Sequence, residues 1–168
     1  MLRWVYGKKR EALSTTKRNK ERYLSFLSLN FLIKKNVFKT VSFDEDIPNL
    51  RHEDTLFSFH LKTNNINVKH IENPTHHLGL EESRVFLKKS LESVDTIYLF
   101  LREGLISNDY TFITKVFFQL KKAKLHYALA STFTSFRSSF ERHLLSKKPS
   151  LYLFDIYRLS YLCYLDTN

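Results

Sequence analysis

The stretch Tyr23–Phe43, YLSFLSLNFLIKKNVFKTVSF, decides how the chain is read. Leu27, Leu29, Phe31 and Ile33 fall on one parity. Ser28 and Asn30 fall on the other, with Leu24, Phe26 and Leu32. Alternation in a run rich in aromatic residues is the mark of a half-buried strand. Lys34-Lys35-Asn36 breaks the run, and Val37, Val41 and Phe43 resume it on one parity with Lys39. The pattern predicts two strands and a short polar turn opening a sheet. A buried helix from Glu21 to Lys34 is the alternative, because period alone does not separate a nearly continuous apolar run from one.

The segments beyond it extend this reading. Phe57, Phe59 and Leu61 alternate with Ser58, His60 and Lys62; Thr63-Asn64-Asn65 tolerates positive φ, and Ile66 and Val68 alternate again. This predicts a β-hairpin over Thr55–Ile71 with Phe57, Phe59 and Leu61 inward. Pro48 biases Ile47 away from helix and closes the preceding element. From Leu80 the period changes: Leu80, Leu87 and Leu91 share a helical face, and Glu81-Glu82 suits a helix N-terminus. Thr96–Leu101 reads as a buried strand or as part of a helical stripe with Val94 and Leu105. Asn108 or Asp109 caps a helix carrying Phe112, Ile113, Val116, Phe117 and Leu120, and a second helix spans Leu125–Leu145. Lys147-Lys148-Pro149 ends it. The tail LYLFDIYRLSYLCYL is too apolar to float and returns as a strand or docked segment. The expected fold is therefore α+β: a basic flexible arm over 1–22, then one domain over 23–168. In that domain an antiparallel sheet from the N-terminal half packs on two to four helices from the C-terminal half.

Composition limits the function. The chain has 168 residues, enough for a real core. Three glycines leave no room for a phosphate-cradling loop or a dinucleotide fingerprint. The lone Cys163 excludes an internal disulfide and a cysteine-based zinc site. No uninterrupted apolar run approaches the roughly 20 residues of a membrane span. His70, Glu72, His76 and His77 lack zinc spacing and read as solvated loop residues. Asp44-Glu45-Asp46 lacks the alternation of a calcium loop. No serine has nucleophile-elbow glycines, and Cys163 reads as a buried small hydrophobe. No catalytic residue, metal or cofactor is expected.

The net charge of +10 instead implies an anionic partner. Residues 1–22 hold eight basic side chains against Glu11 and Glu21. Arg3, Trp4, Tyr6, Lys8, Lys9, Arg10, Lys17, Arg18 and Lys20 are the expected membrane or anion contacts, with aromatic rings at headgroup depth and cations on anionic lipid. Packing of Trp4 and Tyr6 on the domain is the competing reading. The two basic runs also suit a two-part nuclear localisation signal, and residues 1–22 an organellar presequence. Lys115, Lys121, Lys122 and Lys124 form a second basic surface.

The layout from the basic arm through Glu21–Ile33 and Val37-Phe38-Lys39-Thr40 resembles the entry into the folded domain of rhabdovirus-type matrix proteins. Ile47–Leu50, Leu56–Leu61 and the helices to about residue 124 are similar in layout to bornavirus-type matrix proteins. The resemblance covers residues 20–125. It implies a non-enzymatic, self-associating viral structural protein that coats the inner face of an anionic membrane and holds the nucleocapsid, in the virion and in the host cytoplasm, with the nucleus a further location. The chain departs from that pattern in two respects. With prolines only at 48, 74 and 149 it has no P-P-x-Y or P-[TS]-A-P budding motif, and the apolar tail has no counterpart. A basic nucleic-acid-binding accessory protein and an organellar assembly subunit are the alternatives.

Overall fold

A computed structural model describes residues 1–47, 51–76 and 78–168. Pro48 and His77 lie outside the described residues. Among the described residues there is no strand: the fold is all-α, which overturns the expected α+β sheet domain. Among the described residues eight α-helices follow in order: α1 Leu2–Tyr6, α2 Thr15–Lys20, α3 Lys35–Thr40, α4 Glu53–Thr63, α5 Ser83–Arg102, α6 Phe112–Lys122, α7 His126–Leu144 and α8 Leu151–Thr167. A π-helical turn, Gly7–Glu11, continues α1.

In the C-terminal half α6 and α7 form where their apolar stripes predict them, while the expected cap and the strand reading of the tail are corrected. Thr111, rather than Asn108 or Asp109, caps α6 in a reciprocal box with Thr114. Ser150 caps α8 by accepting from Leu153 N at 3.3 Å. Gly104 (φ 66) and Lys124 (φ 57) take the left-handed conformation just beyond the ends of α5 and α6. Thr96–Leu101 is helical, inside α5. The apolar tail is α8, packed antiparallel on α7 and against α5 and α6. Leu2, Leu87, Phe133, Leu144, Phe154 and Tyr157 form one core cluster; Val94, Phe117, Ala130, Leu162 and Cys163 form another. α8 contributes to both.

The expected hairpin over Thr55–Ile71 is a helix, α4, followed by irregular chain. Its alternation has a tertiary origin. α4 is wedged between two clusters, with Leu56 and Phe59 facing Ile97, Phe100 and Tyr110, and Phe57 and Leu61 facing Phe26 and Val41. A helix buried on two sides carries apolar residues nearly all round, and over six residues that mimics period two. The turn reading of Thr63-Asn64-Asn65 was chemically sound. Asn65 has φ 55, and its neighbour Ile66 N donates to Leu61 O, closing the helix instead of a hairpin.

The opening stretch is neither paired strands nor a Glu21–Lys34 helix. Tyr23–Ile33 is irregular chain, and α3 occupies the place of the second strand. Its aromatic residues converge on one ring of α4: Phe43 stacks on Phe57 at 4.3 Å, with Phe26 at 5.4 Å and Phe31 and Phe38 at 6.2 Å. Apolar residues between those anchors stay outside, Leu32 being 99% exposed. Phe57→Ala is therefore expected to cost about 3–5 kcal/mol, measured by urea unfolding, and Phe59→Ala, half-buried, clearly less.

Candidate functional site

The site is built from the N-terminal helix. Leu2 is fully buried, and its N–H donates to Ser83 Oγ at 2.9 Å. Arg3 is taken up internally: it pairs with Glu11 at 2.8 Å and lies over the Phe86 ring at 5.3 Å. Tyr6 packs between Phe86 (5.3 Å) and Phe154 (5.7 Å). These three fasten α1 to α5 and α8, so residues 1–11 are folded onto the domain rather than standing clear of it. Arg3 and Tyr6, expected as membrane contacts, serve as fasteners.

With that face buried, helical geometry turns Trp4 outward. Its residue is 53% exposed, and Lys8, one turn on, sits 5.9 Å from its ring centroid. Lys9 is exposed beside it, and Arg10 pairs with Asp155 of α8 at 2.6 Å. That bridge brings the first turns of α8 to the same pole. There Tyr152 is 76% exposed, and Lys147 and Lys148 are exposed in the α7–α8 connection. Sequence reasoning missed these three. Lys147-Lys148-Pro149 was legible only as a helix stop, and its place at the Trp4 end follows from the Arg10–Asp155 contact across 145 positions.

Lys17, Arg18 and Lys20 belong elsewhere. α2 is tied to the chain after α4: Asn19 Nδ2 donates to His70 O and His70 N to Asn19 Oδ1, both at 2.9 Å. Lys17 and Lys20 are exposed, and Arg18 is half-buried. His70, expected as a solvated loop residue, is buried, and its Nε2 lies 2.9 Å from Arg22 O. His76 is exposed. Among the described residues no group of three metal-ligating side chains occurs. Asp44 Oδ1 accepts from Asp46 N at 3.0 Å, making the acidic triplet a local turn.

The second basic surface gathers at the opposite end of the α7–α8 hairpin. Lys121 pairs with Asp166 at 2.7 Å and lies over Phe117 at 5.6 Å. Lys115, Lys122 and Lys124 are exposed, with Phe112, Leu125 and Tyr127 exposed around them. α7 has 19 residues, so the two poles are separated by about 28 Å of helix.

Among the described residues no helix is long and apolar enough to cross a membrane. Compared with family models, curated proteins and solved structures, the chain matches none.

Two ionisable groups give tests of this geometry. Burial, and after it the Asp166 charge, pushes the Cys163 thiol up to about 12. Native protein at pH 8 is expected to resist thiol reagents until it unfolds, as read by reagent absorbance during a urea titration. Burial, and after it Glu53, raises Asp54 to about 6 from 3.8. Between those values the unfolded carboxyl is ionised while the folded one holds its proton, so stability falls as pH rises from about 4 to 6. Asp54→Asn is expected to be neutral below pH 4 and stabilising by about 1–3 kcal/mol above pH 6, checked by denaturation across that range.

Proposed function

We propose that this chain is a non-enzymatic peripheral protein that lays its Trp4 pole on an anionic membrane and presents its Lys122–Lys124 pole to nucleic acid or ribonucleoprotein. The observation that carries this reading is the exposed indole of Trp4, capped by Lys8 on a helix whose other face is locked into the core. An indole left in water beside free lysines suits the headgroup layer, where the ring gains apolar contact and the cations gain anionic lipid. Tyr152 and Lys147-Lys148 add a second aromatic and further charge at the same end. The bridging role is the one that the matrix-protein resemblance implied. Its support is now the disposition of charge, since the sheet expected from the alternation is absent among the described residues.

A nucleic-acid-binding role without membrane is favoured by a different observation, the exposed Phe112 and Tyr127 among Lys115, Lys122 and Lys124. Aromatic faces among backbone-tracking cations suit single strands.

Trp4 is the only tryptophan, so intrinsic fluorescence reports its surroundings directly. Anionic vesicles at low salt are expected to blue-shift its emission, and neutral vesicles to leave it unchanged. Lys8→Ala with Lys9→Ala should weaken vesicle binding by about 2 kcal/mol, roughly 30-fold, and salt should do the same. Trp4→Ala, followed by flotation, should weaken it in a manner that salt does not reproduce. Wild-type protein that ignores anionic vesicles while binding RNA with a steep salt slope would replace the membrane reading with the nucleic-acid one.

A further inference from the structure

A group of donors with too few acceptors lies where the start of α4 meets α5 and α8. Ser93, midway along α5, is its centre. The His52 ring lies 2.7 Å from Ser93 Oγ through Nε2 and 2.8 Å from Thr55 Oγ1 through Nδ1. Arg158 of α8 donates Nη2 to the same Ser93 Oγ at 3.3 Å. Arg51 reaches the adjacent α5 residue, its Nη2 lying 3.3 Å from Glu92 Oε2. His52 is held at φ 61, a conformation that costs energy for a residue with a Cβ.

Satisfaction fails at two atoms. The Nε groups of Arg51 and Arg158 are both buried and have no hydrogen-bond partner among the described residues. Native interiors pair nearly all such groups, and a buried guanidinium N–H without an acceptor bears its full desolvation cost. Charge is short as well. Arg158 makes no ion pair among the described residues, and its guanidinium lies 5.6 Å over the Phe154 ring. The carboxylate of Glu92 is shared between Arg51 and Lys88. Asp54 touches the group only through the Thr55 hydroxyl, at 3.4 Å. His52 adds a donor without adding charge, because burial, and then Arg158, holds its imidazole down to about 3. Water could complete the hydrogen bonds, but only an anion also supplies the missing charge.

We propose that this junction binds a phosphate monoester group, held by Arg51 and Arg158, with Ser93 and His52 orienting it. Two guanidinium forks and the Ser93 hydroxyl, which the His52 ring holds in place, outnumber the acceptor sites of a carboxylate and match the three terminal oxygens of a phosphate. This does not rest on the membrane reading.

The test uses the full chain in chloride buffer, with inorganic phosphate added at constant ionic strength. Thermal unfolding and the Nε–Hε NMR resonances of Arg51 and Arg158 are followed. About 100 mM phosphate is expected to raise Tm by at least about 3 °C over chloride, and both resonances should shift saturably. Arg158→Met should fold with a chloride Tm no lower than wild type, since it removes an unpaired cation, and should lose both responses. Should that variant fail to fold, Arg158→Lys, which keeps the charge without the fork, should weaken the phosphate response about tenfold. Glycerol phosphate in solution and vesicles containing phosphatidic acid distinguish the sources. Arg158-dependent vesicle binding assigns a lipid headgroup, and a response to the soluble ester alone assigns a free phosphate compound. Equal Tm in phosphate and chloride, or a phosphate response that survives in Arg158→Met or is undiminished in Arg158→Lys, overturns the proposal.

Discussion

Burial of α8 is the constraint on which the rest of the molecule depends. Its Phe154, Tyr157, Leu162 and Cys163 are all inaccessible to solvent, and they face different neighbours. Its first half receives α1 and the start of α5; its second half receives α6 and the start of α7. A helix apolar on several sides cannot be stable alone in water and must be surrounded. Ring contacts run along it, from Phe86 on Phe154 at 5.8 Å to Tyr161 on Phe133 at 4.9 Å. Polar groups on α8 are met where they occur, Tyr157 by Glu141 at 2.8 Å and Tyr161 by Asp95 at 2.7 Å. Arg158 differs: among the described residues its guanidinium has no carboxylate partner and its Nε no acceptor.

The charged poles are held in place by that apolar framework and not by their own ion pairs. Arg10–Asp155 and Lys121–Asp166 have good distances, but their cations are largely exposed, and such pairs contribute about 0–1 kcal/mol. Leu2, locked beneath α5 and α8, does the positioning for Trp4, Lys8 and Lys9. With +10 net charge the poles repel one another, weakly at a separation of several Debye lengths. An anionic partner at either end relieves that repulsion, which ties the packing of the core to the electrostatic function proposed for the surface.

The N-terminal half obeys a different logic. Between Tyr23 and Phe43 the chain is held by aromatic anchors on Phe57, not by a regular backbone ladder. Tyr23 OH donates to Ile66 O at 3.1 Å, joining this layer to the chain that leaves α4. Leu24, Leu29 and Leu32 are left in solvent between the anchors. An irregular layer of this kind needs α4 beneath it, and α4 in turn needs that layer to cover Phe57 and Leu61.

By itself the sequence determined what local chemistry controls: the helical periodicity of α6 and α7, the lack of catalytic and glycine-loop motifs, the basic bias of residues 1–22, and the aromatic-plus-lysine character of Trp4 and Lys8. Only the tertiary structure decided what depends on how many sides of a segment are covered. α4 and α8 were illegible as helices because burial on several sides erases the amphipathic stripe, and short apolar runs then look like strands. The Tyr23–Ile33 alternation did not mark an inward face: Phe26 and Phe31, on opposite parities, both meet a helix and not a neighbouring strand. Among the basic residues, sequence could not separate Arg3, spent on Glu11 and Phe86, from Lys8 and Lys9, or join Lys147 and Lys148 to them. Nor could it bring Arg51, His52, Ser93 and Arg158 together, since a side chain's partner across 41 or 65 positions is fixed by helix packing alone.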